Sequence, residues 1–384
     1  MKVTVIAPDL SGGGGTRAYL IAQALNYLNH DVQVIGCLFG EKLYPVPPDS
    51  LQVRWIKGDR YPNFLPILYQ LLQWAEGDIL YAIKPRPTSF GVALWKRMGS
   101  QQRVIVDIDD WEMSWFGGDN WHYQPTLRQL LRDVLKSDGA LRDPQHPFYL
   151  KQTEKLIKRA DAITVNTRFL QNRYGGIYLP SSKDTNLFNP DHYDSQICRC
   201  KFKLGSYRVL MFPGTVRPHK GLEDALIALE QLNQPDLRLV LVGGRSIDDG
   251  YIEHLEQRWS KWIIRLPTIP LAQMPEVVAA AHLVIVPQRD TITAQAQFPI
   301  KLTDAMAMAK PILATRVGDI PEILGDTGFL TNPEDPASLA QAIEMIFDNF
   351  AEAEQRAEKA RQRCQEQYSL DAMADILAHL LDLT

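Results

Sequence analysis

An ammonium and a carboxylate, Lys301 and Asp304, stand one helical turn apart in the segment FPIKLTDAMAMAKPILATRVGDIPEIL between Phe298 and Leu324. On a helix that spacing puts both groups on one face, so a cation for phosphate and a carboxylate for sugar hydroxyls would converge. A nucleotide sugar presents both kinds of group. The local sequence supplies the helix: Pro299 presets φ for a first turn, Ile300 to Ala309 are mostly good helix formers, and Pro311 forbids continuation. The first turn, around Pro299, Ile300 and Lys301, offers unpaired backbone N–H groups and the positive dipole end to an anion.

A second cationic group lies in RVLMFPGTVRPHKGLEDALIALEQL, where Arg217, His219 and Lys220 precede a helix starting near Gly221. Fixed positive charge and a helix N-terminus again meet. Four glycines, Gly12 to Gly15, follow the first apolar run. A Walker loop would end in Gly-Lys-Ser/Thr where this chain has Thr16-Arg17, and a dinucleotide fingerprint would need a third glycine at Arg17 and an acidic residue near Cys37. Neither pattern is met. Three carboxylates, Asp107, Asp109 and Asp110, follow another apolar run and can bind a hard cation.

The elements that must hold these groups alternate strand and helix. MKVTVIAPDLSGGGGTRAYLIAQALNYLNHDVQVIGC reads as strand, glycine loop, helix, strand, with Ala18, Ile21, Ala22, Leu25 and Leu28 at helical spacing. Further strands are expected at Val53 to Ile56, Ile79 to Ile83, Val104 to Asp107 and Ile163 to Asn166. The pattern is α/β with doubly wound sheets, which bind ligands beyond the carboxyl ends of their strands. Trp111, Trp115, Phe116 and Trp121 crowd the loop after the fifth strand, to stack on a sugar, grip a lipid or pack the loop down; His122 is a second titratable candidate there. Arg128, Arg132, Lys136, Lys151, Lys155, Lys158 and Arg159 then make a basic helical face, suited to solvent or to anionic lipid. A polar, irregular linker is expected over Ser181 to Ser206. LRLVLVGG, WIIRLPTIP and AHLVIVP read as further buried strands, and Pro336 to Leu383 as long amphipathic helix.

At 384 residues the chain exceeds what one core usually serves, which predicts two domains. Apolar content of 45% with 22% charged residues is globular, and a net charge of -4 gives no general nucleic-acid signal. No apolar run is long enough to span a bilayer, and the first strand begins almost at the N-terminus, so a cytoplasmic location is expected, compatible with peripheral association on a membrane face. The 4 cysteines include one Cys198-x-Cys200 pair, too sparse for a disulfide framework or a zinc site.

The stretch 298–324 resembles the donor-site signature of the GT-B glycosyltransferases related to family 4, which runs Glu-Ala-Met-Ala-x-Gly-x-Pro-Val and then Gly-Gly-x-Pro-Glu. The resemblance puts Asp304 in the slot of the ribose-binding Glu and Ala296 in the slot of the Glu that contacts the transferred sugar. Gln295 and Gln297 flank that slot and can hydrogen-bond a sugar without charge. Lys220 matches the Lys of the family's Gly-Arg and Lys-Gly diphosphate clamp; Thr215 stands where the Arg is expected, with Arg217 taken as its replacement. Gly13, Gly14 and Gly15 would face the donor diphosphate across a cleft, Leu266 would mark the base-binding turn, and Glu322 matches the Pro-Glu.

Asp109 and Asp110 would fill the slots of the family's His-Asp pair, as candidate base or acceptor-binding groups. Asp107-Ile108-Asp109 also matches the metal-holding Asp-x-Asp of GT-A enzymes, the rival reading. The resemblance implies a GT-B fold of two Rossmann-like domains, 1–185 and 186–365, with 366–384 packing back on the first. It implies a retaining transferase that takes a sugar from a nucleotide diphosphate-sugar to a glycan, lipid or small-molecule acceptor, with fixed cations in place of a metal and no cofactor beyond the donor. A sugar-nucleotide epimerase and a donor-binding protein without catalysis are the alternatives.

Overall fold

The structure is a computed structural model and describes residues 1–243 and 250–383. Two compact units form: unit 1 comprises Met1–Ser181 and Met373–Thr384, and unit 2 comprises Ser182–Ala372.

Unit 1 holds seven parallel strands: β1 (Lys2–Ala7), β2 (Asp31–Leu38), β3 (Gln52–Lys57), β4 (Ile79–Ile83), β5 (Arg103–Ile108), β6 (Ala162–Val165) and β7 (Ile177–Tyr178). Their order is β3-β2-β1-β4-β5-β6-β7, so strand order reverses between β1 and β4. The β1 run is continuous and apolar because it is buried on both faces, between β2 and β4. Ala18, Ile21, Ala22 and Leu25 of the helix Gly13–Tyr27 pack on it, each fully buried. Removing an Ile or Leu side chain from water stabilises by about 1.5–3 kcal/mol. Met373, Ala374, Leu377, Leu380 and Leu381 join the same core.

Unit 2 holds six parallel strands: β8 (Arg208–Pro213), β9 (Leu237–Val242), β10 (Ile263–Leu266), β11 (Leu283–Val286), β12 (Ile312–Thr315) and β13 (Phe329–Thr331). The order β10-β9-β8-β11-β12-β13 reverses between β8 and β11. One core packs Leu302, Ala305 and Met306 on one sheet face, and a second packs Leu222, Ala225, Leu226 and Leu229 on the other. Of the strand read in LRLVLVGG, Gly244 lies outside the described residues.

Four expectations change. The segment 181–206 is no open linker: Asp194 accepts from the backbone N–H groups of Gln196 and Ile197 and starts a helix, Ser195–Lys201, while Phe188, Cys198 and Leu204 are buried in the core of unit 2. The division into units therefore falls after Ser181, and again after Ala372, rather than after 185 and 365. The C-terminal run is three helices, Pro336–Asp348, Phe350–Gln367 and Leu370–Leu383, interrupted where Asn349 and Tyr368 leave helical backbone angles. Gly13 to Gly15 are already the first helical turn, with Gly12 as its cap, rather than a loop. No helix among the described residues is long and apolar enough to cross a membrane.

Candidate active site

In unit 2 the chain leaves β8 at Gly214, turns through Pro218–Lys220, and enters the helix Leu222–Leu232. The turn depends on Gly221, whose φ of +69° is left-handed and whose added Cβ would lie 1.8 Å from the Pro287 carbonyl oxygen. That close approach docks the turn against the residues after β11, at the point where strand order reverses. Arg289 secures it from the other side, donating to both Asp224 oxygens at 2.8 and 3.0 Å and through its backbone N–H to the His219 carbonyl at 3.0 Å.

The turn gathers cations. Lys220 is buried and donates to Gln297 Oε1 at 3.2 Å. The Nζ of Lys301 lies 4.7 Å from the ring centroid of Phe212, over the space that a side chain at Gly214 would fill. Burial pushes the Lys301 ammonium down to about 8, against the pull of Asp304. His219 reports the summed field: burial, then Lys220, Arg217 and Lys301, push its imidazole down to about 3, while its hydrogen bond with Gln297 works the other way. The ring is therefore neutral at ordinary pH. Arg217, Lys220 and Lys301 act on one imidazole, so they are brought together; Arg217 is at the cap position of the turn.

Pro299 is the N-cap of the helix Ile300–Ala307, which ends earlier than expected because Ala309 turns left-handed at φ +48°. Asp304 is buried on this helix and forms an ion pair with Lys183. Lys183 is fixed by its backbone, which donates to the Tyr368 carbonyl at 2.7 Å, and its Nζ stands 4.4 Å from the Phe188 ring centroid. Lys301 and Asp304 thus share a helix and each other's field but contact different partners. Ala296 is fully buried; Gln295 donates to Asp290 at 2.7 Å, and Gln297 accepts from Lys220. Leu266 closes β10, paired with Val242. Glu322 lies in the first turn of the helix Ile320–Leu324, and its carbonyl accepts from Arg363 at 2.9 Å.

In unit 1 the charges interlock. Asp107 is fully buried and accepts from Arg17 at 2.8 and 2.9 Å and from the Thr164 hydroxyl at 2.7 Å. Arg17 also donates to the Leu179 carbonyl at 2.8 Å. This corrects the Asp107/Asp109 metal reading, because Asp107 is bound from two sides beneath the sheet edge. Beyond the edge, Lys84 reaches Asp109 at 3.5 Å, Asp110 at 3.9 Å and Glu112 at 2.7 Å, and Arg86 pairs with Glu112. Burial opposes the Glu112 charge, yet Lys84 and Arg86 outweigh it and hold the carboxyl at about 2. Burial raises the Asp109 carboxyl above its ordinary range, opposed by Lys84 and reinforced by Asp107. Asp110 accepts from Trp115 Nε1 at 3.0 Å.

Among the aromatic residues, Trp111 is buried beneath the Arg173 guanidinium, 3.9 Å from its ring centroid, and Trp121 leans on His146. Trp115 and Phe116 stay partly exposed. His122 is exposed, with its Nδ1 2.8 Å from the Asn120 carbonyl oxygen. At the helix start in unit 1, a Cβ on Gly15 would meet the Tyr44 carbonyl at 2.8 Å and one on Gly14 the Asp9 carbonyl at 3.0 Å, whereas Gly13 is unobstructed.

Sequence reasoning missed Arg17, Lys84, Arg86, Glu112, Lys183 and Arg289. Only Lys84 and Arg86 had a local signal, since KPRP follows a strand end.

Two parallel sheets of nucleotide-binding type, the second carrying a cationic turn at its switch point, make up the GT-B fold. The family model described as Glycosyl transferases group 1 matches residues 207–349. The chain is 22% identical to N-acetyl-alpha-D-glucosaminyl L-malate synthase of Bacillus anthracis, over 96% of this chain and 93% of that protein. It is 27% identical to D-inositol 3-phosphate glycosyltransferase of Corynebacterium diphtheriae, over 89% and 83%. Among solved structures, Anabaena HepE in complex with UDP-glucose superposes with a TM-score of 0.75 at 19% identity, covering 100% of both chains. Sucrose-phosphate synthase from Thermosynechococcus elongatus gives 0.75 at 18% identity, covering 100% of this chain and 98% of that one.

Proposed function

We propose that the protein is a retaining glycosyltransferase that moves a sugar from a nucleotide diphosphate-sugar to a hydroxyl acceptor, with a uridine diphosphate sugar as the first donor to try. The observation that carries this reading is the gathering of Arg217, Lys220 and Lys301 around a neutral His219 at the switch point of unit 2. Like charges collected in a partly buried turn favour an anion beside them. The solved complex of HepE with UDP-glucose, on the same fold, supports the choice of anion.

In this reading Lys220, Lys301 and Arg217 hold the diphosphate, together with backbone N–H groups of the helix start at Pro299 and Ile300. They stabilise the charge that grows as the sugar–phosphate bond breaks, an effect worth roughly 10²–10³ in rate per donor. Asp304, with one oxygen on Lys183, turns the other to a ribose hydroxyl, and the end of β10 at Leu266 supports the base. The acceptor oxygen bonds to the anomeric carbon on the face the phosphate leaves, and its proton passes to the departing phosphate oxygen, so the anomeric configuration is kept. Asp109, whose carboxyl is raised, and Asp110 are assigned to the acceptor hydroxyl; the helix start at Gly13 to Gly15 is a further place where backbone N–H groups meet an anion. Fixed cations stand where a divalent metal would otherwise act, and no resident metal or organic cofactor is assigned.

The test is turnover of a panel of nucleotide sugars with and without chelator, followed by assignment of the product anomer by NMR. Retention in chelator is expected. Inversion refutes the mechanism, conversion of the donor sugar without any acceptor favours an epimerase, and tight donor binding without turnover favours a binding protein.

A further inference from the structure

The helix Leu127–Leu135 turns its apolar side outward. Leu127, Leu130, Leu131, Val134 and Leu135 follow the spacing that a surface helix normally packs against a core. Here they are 75%, 37%, 52%, 50% and 71% exposed. The buried residue of the helix is the polar one: Asp133, which accepts from the Tyr123 hydroxyl at 2.6 Å. Thr126 caps the start by accepting from the Gln129 N–H, and the end is pinned by Gly139, where an added Cβ would lie 2.3 Å from the Asp133 carbonyl. The orientation is thus built, with the carboxylate inward and the leucines outward.

Arg128, Arg132 and Lys136 recur every fourth residue beside that stripe, all exposed. At about 100° per residue, the apolar arc spans roughly 140° and the three cations fill the adjoining arc. Arg132 also pairs with the exposed Asp138 at 2.9 Å.

We propose that this helix is a docking surface for a bilayer containing anionic lipid, lying in the headgroup plane with its leucines at the acyl boundary and its cations on lipid phosphates. A second copy of the chain fits the surface less well. A nine-residue helix is about 13 Å long, and its apolar face falls well short of the roughly 800 Å² per partner that a stable dimer buries. Pairing two such faces would also bring like cations together. A membrane needs no minimum area and supplies the opposite charge.

The experiment is flotation of the full-length protein with phosphatidylcholine vesicles, with and without phosphatidylglycerol. Binding to the mixed vesicles is expected, weakened when salt rises from about 0.1 to 0.5 M. The Leu127→Glu/Leu131→Glu variant should bind about tenfold less, and Arg128→Gln/Lys136→Gln should bind mixed vesicles no better than pure phosphatidylcholine. Because these side chains are solvent-exposed, circular dichroism should be unchanged in both variants. Failure of the wild type to float with mixed vesicles, equal flotation of the double-Glu variant, or light scattering that shows a dimer dissolved by the Glu substitutions would overturn the proposal.

Discussion

Both units carry buried charge near the carboxyl ends of their strands, but they arrange it in opposite ways. Unit 1 alternates signs: Arg17 on Asp107, and Lys84 and Arg86 on Glu112. In unit 2 the turn after β8 gathers cations, and burial together with Lys220, Arg217 and Lys301 pushes the His219 imidazole down to about 3. A network of alternating signs holds backbone elements in place, and a cluster of cations favours an anionic ligand beside it. Charge in unit 1 should therefore matter chiefly for folding and charge in unit 2 chiefly for the donor.

The largest expected effect is on turnover. Lys220→Ala should lower kcat/KM by about 10²–10³ and leave the urea midpoint nearly unchanged; wild-type turnover would break the contrast. Next in size, Arg17→Met strands the Asp107 carboxylate in the core and should cost about 3–5 kcal/mol of stability in urea titration. A cost below 1 kcal/mol would show that the pair is not structural. Asp304→Ala should weaken UDP binding by about tenfold, consistent with the loss of one charged hydrogen bond, and calorimetry giving equal affinity would remove its ribose role.

The smallest effects are in pH. Lys301 is charged below about 8, so donor affinity should fall as pH rises through that value and recover on lowering it. His219 has its folded value near 3 and an ordinary value of 6.5, so below 6.5 the unfolded chain binds more protons. Stability should therefore decline as pH drops from 6.5 toward 3, and His219→Gln should flatten that decline. In the folded protein, UDP should raise the His219 pKa by partly cancelling the surrounding positive charge; an unmoved imidazole resonance would separate the histidine from the ligand.

What could be read from the chain alone follows from how local each signal is. β4 was expected at Ile79 to Ile83 and is there to the residue, because a short apolar run bounded by polar residues carries its own limits. The Lys220 turn and the helix at Lys301 were legible for the same reason: Pro218, Gly221 and Pro299 write backbone angles directly into the sequence. The Arg17–Asp107 pair joins residues 90 positions apart, and Lys183 meets Asp304 across a still longer separation. Nothing in either neighbourhood announces the partner. The segment 181–206 looked like a linker because it is polar, yet a single capping aspartate and three buried side chains were enough to fold it. The breaks at Asn349 and Tyr368 were hidden because neither is a strong helix breaker.

The most direct test of the central claim compares UDP with uridine by isothermal titration calorimetry on the wild type and on Lys220→Ala. If the cations of unit 2 grip a diphosphate, the wild type binds UDP far more tightly than uridine, and Lys220→Ala erases most of that difference while leaving uridine binding alone. Equal affinity of the wild type for UDP and uridine, or an undiminished preference for UDP in Lys220→Ala, would contradict it.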